Sequence, residues 1–379
     1  MSPQPSRRMF HPYTTHNQLA DSQIAQLLKP FKDEQDRRLL TELVVSAYRL
    51  GQDGSTTGDL KILNAALKEL RYAFKVFRPY RHLHKVAMFG SARLPNTHPA
   101  YAMARAFGRL MAEAGWMVIT GAASGIMRAG HEGAGPTASF GLNIRLPFEQ
   151  EANQVIAQDA KLINCKYFFT RKLLFIKESH ATALFPGGFG TLDEGFESLT
   201  LVQTGKSDPR PIIFIEHPKR TFWKPLLKFF DNQLVKGGMI SPSERAIYEV
   251  AYSAEQAMQK ILKFYTVYHS LRYVDHRMVM RLQQALPERA LAELSRQFAD
   301  ILDGGLIQQG KALPEESDEP LLARLPRLVL PFNRKNYGRL SELIHRINEL
   351  GSAPARPTPP TDSSVLKSAG TPTPGPSVP

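Results

Sequence analysis

The stretch Ala183-Leu184-Phe185-Pro186-Gly187-Gly188-Phe189-Gly190-Thr191-Leu192-Asp193-Glu194 decides the fold. A short apolar run, Ala183 to Phe185, empties into three glycines and then into Thr-x-x-Glu, which reads as strand, turn and helix start. Glycines let main chain approach an anion without a Cβ in the way, and the free N–H groups of the following helix point at it. No lysine stands where GxxxxGK[ST] needs one, which excludes a P-loop for nucleoside triphosphate and magnesium. The ligand expected here is a smaller phosphate ester. Thr191 and Glu194 also fit a capping box, in which hydroxyl and carboxylate satisfy main-chain N–H groups at a helix start.

Outward from this stretch, short apolar runs alternate with segments of helical periodicity. Strands are expected at 85–90, 116–121, 138–146, 161–166, 182–185 and 211–216, with helices such as 99–114 and 168–180 between them. That alternation predicts an α/β fold, a Rossmann-like doubly wound parallel sheet. In such sheets ligands bind beyond the carboxyl ends of the strands, where Gly90-Ser91, Gly121 to Gly125 and Gly187 to Thr191 would converge. Neither Gly90-Ser91-Ala92-Arg93 nor Gly188-Phe189-Gly190 completes G-x-G-x-x-G, and no ribose-binding acid follows at the usual distance, so NAD and FAD are not expected.

The nonapeptide Pro186 to Glu194 matches the PGGxGTxxE signature of the LOG ("Lonely guy") phosphoribohydrolases, a family once labelled lysine decarboxylases. Further segments agree in order: Lys85 to Arg93 resembles the family's first strand and Gly-Ser turn, and Thr120 to Met127 its TGGGPGIM segment. Gly141 to Ile144 with Leu146-Pro147 and Glu149-Gln150 resembles the next strand and loop, Phe168 to Lys172 the Arg-Lys segment, and Leu199 to Leu201 with Gln203 to Lys206 closes the match. The chain departs at Ala122-Ala123-Ser124, where two glycines and a proline are common, and at Arg128, where Glu is frequent.

The resemblance implies hydrolysis of the N-glycosidic bond of a nucleoside 5′-monophosphate, AMP first and cytokinin riboside monophosphates next, to free base and ribose 5-phosphate. It makes Arg171 and Glu194 the catalytic pair. Gly187, Gly188, Gly190 and Thr191 would hold the phosphate, with Lys172, Ser91, Phe168 and Gly125 as further substrate contacts. No metal or cofactor is implied, and a homodimer is the minimum assembly. Two other readings stand beside it: a non-catalytic nucleotide or cofactor carrier on the same fold, and a nucleic-acid-binding protein.

Composition bounds the rest. The 379 residues are 42% hydrophobic and 22% charged, ordinary for a globular protein. Lys plus Arg number 48 against 35 Asp plus Glu, a formal charge of +13. These cations are spread along the chain with no nucleic-acid module, which favours attraction of phosphorylated metabolites over nucleic acid. No apolar run is long enough to cross a membrane, and the expected location is cytoplasmic. Cys165 stands alone in an apolar strand and is expected to be buried. The expected organisation is a helical N-terminal extension (1–80), the catalytic domain (81–268), a helical C-terminal extension (269–351, with helices at 270–302 and 337–350) and a disordered Pro/Ser/Thr-rich tail (352–379).

Overall fold

The computed structural model describes residues 13–145 and 151–351. The expected loop at Leu146-Pro147 and Glu149-Gln150 and the tail from Ser352 lie outside the described residues. The chain divides into two compact units between Lys68 and Glu69.

The first unit is helical. Asn17 caps α1 (Gln18–Leu28) by accepting the N–H groups of Leu19 and Ala20, and Asp33 caps α2 (Glu34–Gln52). Ile24 and Leu28 of α1 meet Val45, Val44 and Leu40 of α2 in a small apolar contact. A third helix, α3 (Thr57–Phe77), starts here and runs on into the second unit.

In chain order the second unit continues with β1 (Lys85–Phe89), α4 (Pro99–Glu113), β2 (Met117–Thr120), α5 (Ile126–Ala134), β3 (Ser139–Ile144), β4 (Leu162–Cys165) and α6 (Phe168–Glu178). Next come β5 (Ala181–Leu184), α7 (Phe189–Gln203), β6 (Ile212–Ile215), α8 (Lys224–Phe229), β7 (Glu249–Ala251) and α9 (Ala254–Phe264). The seven strands form one sheet in the order β4-β3-β2-β1-β5-β6-β7. Every pairing in it is parallel.

Alternate residues of β1, β2, β5 and β6 feed two different cores, which is why these strands read as near-continuous apolar runs. Val86, Met88, Val118, Ala181, Ala183 and Ile213 pack under α4, α5 and α9. Their neighbours Ala87, Phe89, Ile119, Leu184, Ile212 and Phe214 pack under the end of α3, α6 and α7. The result is the expected doubly wound α/β sheet. Cys165 is fully buried in β4, as expected, and that burial pushes its thiol up to about 12.

The C-terminal extension corrects the sequence reading. Residues 270–302, expected as helix, instead hold a hairpin, β8 (Tyr268–Val274) and β9 (Arg277–Leu282), followed by α10 (Glu288–Gln297). Two further strands, β10 (Gln308–Gly310) and β11 (Arg327–Leu330), complete an antiparallel sheet of order β10-β11-β9-β8. A β-bulge between Tyr268 and Ser270 breaks the period-two signal of β8 and buries Tyr268, Leu271 and Val274 at helix-like spacing. In β9 every residue after Arg277 is buried, so no alternation is left to read. The last helix, α11 (Tyr337–Gly351), matches expectation and packs Leu340, Leu343, Ile344 and Ile347 onto this sheet.

Candidate active site

The strand order reverses between β1 and β5, and the loops leaving those two strands are tied together there. The Ser91 N–H donates to the Pro186 carbonyl at 3.0 Å. Such a switch point, at the carboxyl ends of parallel strands, is where open α/β sheets hold ligands.

The glycines of the β5–α7 loop divide into two kinds. A Cβ on Gly187 would lie 2.1 Å from Thr191 Oγ1 and 3.0 Å from the Ser91 nitrogen, so this glycine allows the loops to close up. Gly188 and Gly190 face open space, with no atom within 4 Å of the position a Cβ would take. Gly188 is the cap position of α7 and no side chain caps the helix, which leaves its first N–H groups to a ligand. The capping-box alternative is therefore not realised: Thr191 lies inside the first turn of α7, buried under Gly187.

Glu194 follows one turn later and is 6% exposed. Its Oε2 is buried without a hydrogen-bond partner among the described residues. An orphaned carboxylate oxygen is costly unless something arrives to use it. Burial raises this carboxyl to about 7, against the opposing pull of Lys172 and Arg171 and with a further push from Glu197 and Asp193.

Arg171 reaches the same place from α6. Its Nε donates to the Leu142 carbonyl within β3 at 2.9 Å, and its guanidinium lies over the Phe175 ring at 5.3 Å. Gly121 makes room for it, since a Cβ there would sit 2.4 Å from Arg171 Nη2. Burial lowers the Arg171 pKa while the charge of Glu194 raises it. Two cations in the first turns of α6 oppose the helix dipole, and an acid at the start of that helix, Glu69, favours it. This residue, near the end of α3, accepts from the Lys166 N–H at 2.8 Å and from the Thr170 hydroxyl at 2.6 Å.

Other expected residues take varied places. Lys172 is engaged by carboxylates, Asp193 at 2.8 Å and Glu197 at 2.9 Å, with Glu194 at 3.7 Å. The Ser91 hydroxyl accepts the Arg93 N–H at 3.1 Å, as a turn serine does. Gly125 has φ +61 and permits close packing, because a Cβ would lie 2.2 Å from the Ser91 carbonyl oxygen. Phe168 is 53% exposed at the start of α6, and Asn143 donates to Asn164 on the adjacent strand.

Sequence reasoning missed three residues here, Phe189, Asn153 and His131. Phe189, between the open glycines, is 92% exposed. Ala122, at φ +62 where the family often has glycine, is held by Asn153, whose N–H and side-chain amide both donate to its carbonyl. His131 bonds Thr120 and the Phe140 carbonyl and touches Asn153, bracing the loop from behind. Burial keeps that imidazole near 4, hence neutral.

Fold and site together define a Rossmann-like α/β protein with a buried acid and a half-buried guanidinium beside open main chain at the switch point. Residues 119–261 match the family described as "possible lysine decarboxylase", in agreement with the LOG-type motifs of the sequence. Among curated relatives, a probable cytokinin riboside 5′-monophosphate phosphoribohydrolase of Oryza sativa subsp. japonica is 37% identical over 100 residues, 26% of this chain and 44% of that protein. A cytokinin riboside 5′-monophosphate phosphoribohydrolase of Arabidopsis thaliana is 37% identical over 92 residues, 24% and 41% of the two chains. The chain thus spans less than half the length of these relatives. Solved structures with a similar course include the molybdenum cofactor carrier protein of Chlamydomonas reinhardtii, 18% identical with a TM-score of 0.34, covering 48% of this chain and 97% of the carrier. DNA processing protein A of Helicobacter pylori is 18% identical with a TM-score of 0.33, covering 48% of this chain and 80% of that one.

Proposed function

We propose that this protein hydrolyses the N-glycosidic bond of a nucleoside 5′-monophosphate, AMP first, releasing the base and ribose 5-phosphate. The observation that carries this reading is Glu194 Oε2, buried and unpartnered one turn beyond open glycine main chain. In this reading the phosphate lies against Gly188, Gly190 and the N-terminus of α7, and its binding energy fixes the sugar for attack. As the C1′–N bond breaks, positive charge spreads over C1′ and O4′, and the Glu194 carboxylate stabilises it. Water then adds its oxygen to C1′ and passes a proton to Glu194, while the base leaves with the bonding pair and takes up a proton. A carboxyl near 7 is suited to both holding and releasing that proton at neutral pH.

Arg171 opposes the acid and offers a guanidinium to the ribose phosphate or the departing base. Phe168 and Phe189 present rings on which the base can stack. The relatives named for cytokinin riboside monophosphate make substituted adenines the next substrates to try. The homodimer belongs to the same proposal, supported by the apolar face that Phe168, Phe169 and Leu173 leave exposed on α6. So does a cytoplasmic location. Among the described residues no helix is long and apolar enough to cross a membrane.

The test is incubation with a panel of nucleoside monophosphates and the matching nucleosides, following base release by chromatography, with Arg171→Ala and Glu194→Ala in parallel. Release of base from monophosphates, not from nucleosides, and its loss in both variants is the expected outcome. Nucleotide binding without turnover by the parent protein would replace the hydrolase with the carrier reading.

A further inference from the structure

A cleft of about 930 Å³ opens between loop 92–97, which follows β1, and the outer faces of α4 and α5. Of the expected site residues only Gly125 lines it; Arg171, Lys172, Glu194, Ser91, Phe168 and Gly187 to Thr191 do not. Its walls carry Arg93, Arg105, Arg109 and Arg128 against a single carboxylate, Glu132. That carboxylate is already taken, by Arg128 at 2.8 Å and by the Tyr101 hydroxyl at 2.9 Å. Arg109 pairs with Glu113 on its own helix at 2.8 Å. Arg93 and Arg105 are exposed, and among the described residues neither forms an ion pair. The cleft therefore holds two guanidinium groups with no internal anion. Arg128, a cation where family resemblance expects an acid, adds to the same wall.

The cleft has firm sides. A Cβ on Gly133 would fall 1.9 Å from the Arg105 carbonyl oxygen, so α4 and α5 touch main chain to main chain. The Ser124 hydroxyl donates to the Ala92 carbonyl at 2.8 Å and pins loop 92–97 to the turn before α5.

We propose that this cleft is a second, non-catalytic site for a nucleoside di- or triphosphate. Arginine forks match phosphate oxygens two at a time, and two unneutralised forks in one concavity, with Arg109 and Arg128 beside them, favour an anion with several phosphates over one with a single phosphate. The volume lies in the range that encloses a whole small molecule, and Leu94, Ala102 and Ala106 supply apolar wall for a base. The loops that bound it, 91–92 and 124–125, also bound the switch point, so the two sites adjoin through main chain.

ATP serves as the probe, titrated calorimetrically into the full chain with saturating ribose 5-phosphate present to fill the catalytic cradle. Binding by the wild type and by Arg171→Ala alike is expected, with affinity reduced about tenfold or more in Arg93→Ala/Arg105→Ala and largely kept in Arg93→Lys/Arg105→Lys. The lysine pair separates loss of charge from loss of fold. Absence of ATP binding, binding unchanged in the alanine pair, loss of binding in Arg171→Ala, or displacement of ATP by a mixed-sequence oligonucleotide at equal charge would each overturn the proposal. The first two outcomes leave the hydrolase reading untouched, because neither involves its residues.

Discussion

Lys172 Nζ lies 3.7 Å from Glu194 Oε2, too far for a hydrogen bond, while the same ammonium binds Asp193 at 2.8 Å and Glu197 at 2.9 Å. Lysine thus acts on Glu194 through its field, without occupying the oxygen. That arrangement lowers the acid from where burial alone would set it and still leaves Oε2 to a substrate.

Lys172→Met should therefore move the acidic limb of the pH–rate profile upward, by about 1–3 units for loss of a cation at this range. Glu194 must be ionised to steady positive charge on the sugar, so activity at pH 7 falls and partly returns at pH 9. Lys172→Arg keeps the charge and should keep the limb near its original place. Profiles of kcat/KM for the three proteins decide this; superimposable limbs would remove Lys172 from control of Glu194.

Glu194→Gln should abolish turnover and stabilise the fold at high pH. The carboxyl sits near 7 in the folded chain against an ordinary 4.5, so it binds its proton more tightly when folded. Its contribution is fully present below pH 4.5 and is lost as pH climbs through about 7. Glutamine mimics the protonated form at every pH. The variant should match the wild type at pH 4.5 and exceed it at pH 8.5 by on the order of 3 kcal/mol at most. Urea unfolding at both values measures the difference.

The sheet was legible chiefly because β1, β2, β5 and β6 are buried on both faces; with β3 and β4, six of the seven strands appear in the sequence as short apolar runs. β7 escaped because three residues, Glu249–Ala251, carry no periodicity. The β8–β9 hairpin was hidden by its bulge and by burial on both sides of β9. At the site, glycines and the Glu194 position announced themselves locally. What sequence could not supply was contact across distance: Glu69 accepting from Thr170 of α6 from about a hundred positions away, or Asn153 and His131 holding the left-handed Ala122. Gly125 and Gly187 illustrate the same limit, since nothing in a glycine tells whether it clears room for a ligand or for another loop.

Gly190→Ala and Gly187→Ala should fail in opposite ways. At Gly190 a methyl meets nothing in the fold and sits within α7, where alanine is favoured over glycine by roughly 0.5–1 kcal/mol. The melting temperature should hold or rise, while KM for a monophosphate increases because the methyl occupies the anion's place. At Gly187 the methyl collides with Thr191, and a stability loss of about 1–3 kcal/mol is expected before any effect on binding. Thermal melts and KM values for both variants test the pair. An unchanged KM in Gly190→Ala would move the phosphate off this loop.

Glu316 organises the C-terminal sheet. It accepts from Arg327 Nε at 2.9 Å and from Arg281 Nε at 2.9 Å, and all three side chains are buried. Burial raises its carboxyl, but hydrogen bonds from Arg327, the Leu313 N–H and Arg281 outweigh that and hold it at about 2. A depressed carboxyl gives stability that is present above pH 4.5 and lost as pH falls through about 2. Glu316→Gln should cost about 3–5 kcal/mol at pH 7, because Arg327 keeps its charge and loses its only carboxylate among the described residues. The deficit should shrink toward pH 2, where the wild-type carboxyl also takes up a proton. Chemical denaturation of both proteins at pH 7 and pH 3 follows this. A deficit of equal size at both would show that Glu316 acts through packing and not through charge.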